Sequence, residues 1–264
     1  MKKLFLLALT VIFCLPIIAQ ETPRQSKKEK RRQRINAIAK QEEEGVIKYK
    51  KHTAFGVKLT SDGYGGFFEI GRAQSVKKGL LFQFEITERK HPKEEKQQVP
   101  FLSTSPFIYT KINYFYPVKI GVQQQFLLGN KGNKNGVSIT GNIGGGLIAG
   151  LLRPYMIEVF KTEDRKFVRF DSPDSSDAAD FLDPNTYYGG PNLGKGWKYL
   201  KVTPGIYLKP AVRFDYGKYN EMVSAIEIGV SGEFYSKKIP QMVYSKQRQF
   251  FFSAFVAIMF GKRK

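Results

Sequence analysis

Residues 205–216 read "GIYLKPAVRFDY", and the orientation of this stretch decides the fold. Its even positions, Ile206, Leu208, Pro210, Val212, Phe214 and Tyr216, form one apolar face. Its odd positions carry Tyr207, Lys209, Ala211, Arg213 and Asp215 after Gly205. Strict alternation marks a strand with two unlike faces. A soluble protein buries the apolar face and wets the charges; a membrane barrel exchanges the two.

The pattern recurs. Residues 80–87 set Leu80, Phe82, Phe84 and Ile86 against Leu81, Gln83, Glu85 and Thr87. Residues 118–128 set Val118, Ile120, Val122, Phe126 and Leu128 against Lys119, Gly121, Gln123 and Gln125, with Gln124 breaking the apolar face. Residues 224–234 set Ile226, Ile228, Val230 and Phe234 against Glu227, Gly229, Ser231 and Glu233. Residues 250–260 place Phe250, Phe252, Ala254, Val256, Ile258 and Phe260 on one side. Shorter or glycine-rich segments at 54–60, 64–72 and 137–152 bring the strands to eight. After a tight "SDG" hairpin at 61–63, short turns at 73–78, 129–136 and 217–221 alternate with long loops at 89–116, 153–203 and 236–249.

Residues 1–20 read as a secretory signal: Lys2 and Lys3, an apolar run from Leu4 to Ile18, then Ala19 at a plausible cleavage point. Cys14, the one cysteine, falls inside that run, so the exported chain has no thiol for a disulfide, a nucleophile or a metal. Phe13 before it does not fit a lipoprotein cleavage site. Beyond residue 20 no apolar run approaches the roughly 20 residues of a helical span. A chain that enters a membrane without such helices must close a sheet on itself, because every backbone polar group needs a partner in lipid. The formal charge of +20 invites a nucleic-acid reading, which export argues against; anionic lipid headgroups or cell-wall polymers are the expected counter-charges.

On alternation, loop asymmetry and a last strand ending at Phe260, residues 53–264 resemble the small outer-membrane β-barrel proteins of Gram-negative bacteria, the broad OmpA-like, OmpX-like and PorT-like group. Gly261, Lys262, Arg263 and Lys264 follow that strand, a departure from the group's habit of ending on the aromatic. The expected fold is all-β: a single antiparallel up-and-down transmembrane barrel of about eight strands, preceded by a short basic helix. The face opposite the apolar one carries Lys58, Lys119, Lys209 and Arg213 with Glu69, Glu85, Asp215, Glu227 and Glu233. Cations and acids that nearly cancel suit a closed interior, and about eight strands leave a lumen that side chains fill. These nine residues are therefore expected to form an ion-paired plug, with no open pore. Ordinary surface charges of a soluble sandwich are the alternative.

Aromatic residues near strand ends, Tyr64, Tyr207, Tyr216, Tyr219, Trp197, Tyr199, Tyr235 and Phe250 to Phe252, read as interfacial girdles. Residues 21–52 include "SKKEKRRQRINAIAKQEEEG" at 26–45, where Ser26 and Glu29 make a capping box and Gly45 a stop. Lys27, Lys28, Lys30, Arg31, Arg32 and Arg34 on that helix are expected to contact an anionic surface at the periplasmic side: lipid, cell wall or an envelope protein. In "DSPDSSDAADFLD", Asp171, Asp174, Asp177, Asp180 and Asp183 recur every third residue; calcium is one reading, a short surface helix with Asp near its start the other. Enzyme constellations are sparse. His52 and His91 are expected at opposite rims, and His91 with Glu94 and Glu95 reads as a charged loop. The glycines of "GNIGGG", 141–146, lack the Lys-Ser or Lys-Thr of a phosphate loop and read as strand glycines facing bulky lumen neighbours.

The sequence thus points to a non-enzymatic outer-membrane barrel with no cofactor and no metal, structural or accessory to an envelope assembly or secretion complex, and without nucleic acid as a partner. A soluble exported barrel for a small apolar ligand and a barrel-borne lipid-modifying enzyme are the other two classes.

Overall fold

The structure is a computed structural model. It describes residues 50–264 apart from 76, 99–104, 132–135, 162–163, 192–193 and 218–221, and upstream residues 29, 31–33 and 36. The chain forms two units, Met1–Ile47 and Lys48–Lys264. In the first, residues 29, 31–33 and 36 are helical and exposed; the signal segment lies outside the described residues.

The second unit is built on eight long strands: β1 Lys51–Thr60, β2 Gly63–Ala73, β3 Lys78–Arg89, β4 Asn113–Gly129, β5 Ser138–Pro154, β6 Lys201–Asp215, β7 Met222–Ile239 and β8 Arg248–Arg263. Each pairs antiparallel with its sequence neighbours, and β8 returns to pair with β1, closing the sheet into a barrel with no free edge. This is the fold that alternation predicts, with the same strand count.

The faces settle the opening question. Ile206, Leu208 and Val212 are exposed on the outside of β6, while Tyr207, Lys209, Ala211, Arg213 and Asp215 are buried inside. The other strands follow suit: Phe55, Val57 and Leu59 on β1, Phe82, Phe84 and Ile86 on β3, and Phe250, Phe252, Val256, Ile258 and Phe260 on β8 are all exposed. An apolar exterior around a charged interior has the wrong sign for water and the right sign for hydrocarbon. The chain is a membrane-spanning β-barrel. Gln124, the polar residue on the outward face of β4, donates to Gly79 O of β3 at 3.0 Å and to Gln74 Oε1 in the turn before β3 at 3.1 Å, so its amide N–H groups are satisfied.

Most strands overrun their apolar segments, chiefly on the side of the long loops. β4 begins at Asn113 and β7 ends at Ile239. There Tyr114, Phe115 and Tyr116 mix aromatic side chains on both faces, so the period-2 signal fades although the ladder continues.

The long connections, 90–112, 155–200 and 240–247, all leave this rim and fold together. Ile157–Lys161, Asp164–Val168 and Tyr187–Gly189 form a three-stranded sheet, and Lys96–Gln97 pairs with Phe107–Ile108. A helix, α1, spans Ser175–Leu182. It starts because the Asp174 carboxylate accepts the Ser176 N–H at 3.0 Å, and it ends at Asp183, ahead of Pro184. Phe181 on α1, Ile157, Val159 and Val168 of the sheet, Tyr155, and Phe107 and Ile108 from the first loop enclose an apolar core outside the barrel. The third loop is stitched on by Ile112 N–H to Gln241 O at 2.8 Å and Val243 N–H to Thr110 O at 2.9 Å. The result is a folded cap.

Leu147 is 71% exposed midway along β5. Leu147→Arg is expected to destabilise the barrel by about 2–4 kcal/mol, the cost of a cation on the lipid face near the bilayer midplane. Denaturant-titrated folding into phospholipid vesicles measures it.

Candidate functional site

The lumen is the most organised part of the molecule. Inward positions on all eight strands fill it, and its charges pair across the barrel. In its middle, Glu85 on β3 accepts from Lys58 on β1 at 2.9 Å and from Lys119 on β4 at 2.8 Å. Towards the short-turn rim, Arg213 on β6 holds Glu69 on β2 through both terminal nitrogens, at 2.8 and 2.7 Å, and Glu227 on β7 at 2.6 Å. Lys209 reaches the same Glu227 at 3.1 Å and the Gln83 amide oxygen at 2.7 Å. Towards the cap, Glu233 on β7 accepts from Lys119 at 2.8 Å and from Arg89 on β3 at 2.8 Å. Asp215, last on β6, pairs with Arg263 of β8 and stands 3.6 Å from Lys131.

Sequence-predicted lumen residues Lys58, Glu69, Glu85, Lys119, Lys209, Arg213, Asp215, Glu227 and Glu233 all face inward and are all buried. Of the six basic residues predicted to contact an anionic surface, Arg31 and Arg32 are helical and exposed; Lys27, Lys28, Lys30 and Arg34 lie outside the described residues.

The network holds more than the sequence reading named. Arg89 is buried, forks onto Glu233 and pairs through Nε with Asp62 at 2.6 Å. His52 sits in the lumen with Nε2 3.1 Å from Glu69. Gln83 and Gln123 hydrogen-bond to each other, Asn142 donates to Glu227 at 3.0 Å, and the Tyr235 hydroxyl donates to Glu233 at 2.8 Å. The missing signal was parity: Gln83, Glu85, Thr87 and Arg89 form one series, as do His52, Ala54, Gly56 and Lys58. The same rule corrects three girdle assignments, Tyr207, Tyr235 and Phe251, the last of which stands opposite Glu233. Tyr207 shares the parity of Lys209 and is 6% exposed, and Tyr235 that of Glu233 at 0%; both are lumen residues. Tyr64, Trp197, Tyr199, Tyr216, Phe250 and Phe252 are exposed, Phe251 packs on Phe115 and Tyr235, and Tyr219 lies outside the described residues.

Glycine makes room for this filling. A Cβ at Gly71 would overlap the His52 ring, one at Gly144 the Gln123 side chain, and one at Gly121 the Tyr207 hydroxyl. Burying so many ions is tolerable only because each gains partners. A buried charge left alone costs several kcal/mol.

In the cap, four of the five aspartates of the series take structural roles. Asp174 caps α1, Asp183 accepts from Asn185 N–H at 3.0 Å, and Asp171 pairs with Lys201. Asp177 accepts from Lys166 and Ser172, each at 2.7 Å; burial pushes its carboxyl up, but these bonds prevail and hold it below the usual range. Among the described residues no three acids, histidines or cysteines converge as metal ligands. His91 Nδ1 accepts the Lys93 N–H at 3.2 Å on the cap side, far along the barrel from His52.

No protein-family model matches the chain, and no curated protein matches it. Among solved structures, the N-terminal β-barrel domain of Pseudomonas aeruginosa OprF is similar, with 8% identity, TM-score 0.36, and coverage of 81% of this chain and 98% of that one. Ail, the attachment invasion locus protein of Yersinia pestis, gives 10% identity, TM-score 0.38, and coverage of 83% and 100%. Neisserial surface protein A gives 9% identity, TM-score 0.35, and coverage of 82% and 96%.

Glu85→Ala removes the acceptor between Lys58 and Lys119. Lys119 retains Glu233, whereas Lys58 is left with the Phe255 ring, 3.9 Å from its Nζ. The variant is expected to lose about 3–5 kcal/mol, the cost of breaking a buried pair. The shift in the unfolding midpoint of the lipid-reconstituted barrel checks this.

Proposed function

We propose that the protein is a non-enzymatic, closed outer-membrane barrel that serves as a structural or accessory component of an envelope assembly or secretion complex. The observation that supports this best is the folded cap: three loops, one apolar core, standing on a lumen stopped by cross-strand ion pairs. A pore needs a continuous aqueous path, and here pairs from β1 to β8 occupy the interior at successive levels. An enzyme needs a base within reach of a nucleophile at one rim. His52 is committed to Glu69 within the lumen, and His91 to a turn on the cap side.

A cap with its own core is a pre-formed surface, which lowers the ordering cost of docking a partner. The basic segment around Arg31 and Arg32 offers a second contact, to anionic lipid, the cell wall or an envelope protein.

The test has two arms. In planar bilayers the protein is expected to give no stable conductance steps; sustained unitary currents would replace this reading with a channel. Capture of the tagged protein from detergent extracts after cross-linking is expected to enrich a defined envelope protein. Phe181→Ala, which guts the cap core at a cost of about 3–5 kcal/mol, is expected to lose that partner while leaving the heat-dependent gel shift of the barrel intact.

A further inference from the structure

The short-turn rim, periplasmic in an outer-membrane barrel, carries a row of cations on its outward face. Lys51 of β1 exchanges both backbone hydrogen bonds with Lys264, at 3.0 and 2.8 Å, and stands opposite Arg72 in the β1–β2 register. Three cations therefore lie side by side across β8, β1 and β2. Lys262, two residues further up β8, shares their face, as does Lys78 on β3, diagonal to Arg72, whose direct partner is Leu80. All five are exposed. Among the described residues none of the five forms a salt bridge, and Lys78 meets the Phe126 ring at 5.9 Å.

Like charges directly opposite on one face of a sheet repel. A row of three is an arrangement that asks for an anion. The other half of the same rim differs: Leu128 of β4, Val137 before β5, Tyr216 after β6 and Met222 of β7 are exposed there instead. Among the described residues the cations of this rim outside ion pairs sit on or beside four adjacent strands, β8 and β1 to β3, and Lys131 in the other half pairs with Asp215.

Directly above the row, Phe260, Phe55 and Phe68 form a second row across the same three strands, in register with one another and exposed. Ile70 stands between Phe68 and Arg72. At about 3.3 Å per residue, the cations lie some 13 Å along the strand from the phenylalanine shelf. Their flexible stems bring the charged heads to headgroup depth.

We infer that this double row is a binding site for an anionic phospholipid of the inner leaflet. The phosphate sits between Lys264, Lys51 and Arg72, and the acyl chains lie on Phe260, Phe55 and Phe68. The cations alone would accept any phosphate; the shelf selects one that carries hydrocarbon. This site belongs to the barrel and does not depend on the basic segment around Arg31.

Native mass spectrometry of the full-length protein tests it, with phosphatidylglycerol and phosphatidylethanolamine of matched acyl chains in equal amounts. The wild type is expected to retain phosphatidylglycerol about tenfold or more over phosphatidylethanolamine. The Lys51→Gln, Arg72→Gln, Lys264→Gln triple variant is expected to fall to within about twofold, and Lys51→Gln alone to lie between. Lys195→Gln with Lys198→Gln, on the cap side, should match the wild type, and excess inorganic phosphate should not displace the lipid. A heat-dependent gel shift confirms that each variant is folded. An unchanged preference in the folded triple variant, no preference in the wild type, or displacement by inorganic phosphate would each overturn the assignment.

Discussion

The structure depends on the mutual neutralisation of charges sealed inside a closed sheet. Once lipid solvates the outside, every inward position of eight strands faces a space too narrow for bulk water, and an ion there survives only with a partner. Arg213 between Glu69 and Glu227, Glu85 between Lys58 and Lys119, and Glu233 between Lys119 and Arg89 meet that demand by sharing. Each shared ion ties together strands that are distant in sequence. Arg89 and Glu233 are 144 residues apart, as are Arg213 and Glu69, so the plug also fixes which staves face one another. A one-residue slip of any stave would carry its charges into lipid and its apolar side chains into the plug.

That dependence explains why so much was legible in the sequence. In "GIYLKPAVRFDY" the two faces differ so sharply that parity alone sorts Lys209, Arg213 and Asp215 from Ile206, Leu208 and Val212. The near balance of the sorted charges decides which face is inside. Legibility fails where the exterior stops being hydrocarbon. Arg89 and His52 lie just beyond the apolar runs of β3 and β1, so their membership in the lumen series went unread, although their pairing completes the plug. Tyr207, Tyr235 and Phe251 were misread because aromatic type was weighed above parity. The cap was invisible for a different reason. Its core joins Phe107 and Ile108 to Val159, Val168 and Phe181 from another loop, and no local period announces contacts made across connections.

The two rims of the barrel differ as their surroundings do. On the cap side the chain invests in packed structure, with strands that outrun the bilayer and loops that share a core. On the short-turn side it invests in charge, with Lys51, Arg72, Lys262 and Lys264 set beneath an aromatic shelf. The first arrangement gives shape, and the second anchors the barrel to the leaflet it faces.

The assignment of faces is tested most directly by single cysteines placed one at a time through residues 205–216 of a chain whose one native thiol, Cys14, has been replaced by Ala. Each is labelled with an environment-sensitive fluorophore and folded into vesicles whose acyl chains are brominated. Labels at 206, 208 and 212 should be strongly quenched by the brominated chains, while labels at 207, 209 and 213 should not, an alternation with period two. Quenching at the odd positions, or no quenching at any position in a folded protein, would contradict a barrel that turns its apolar face to lipid.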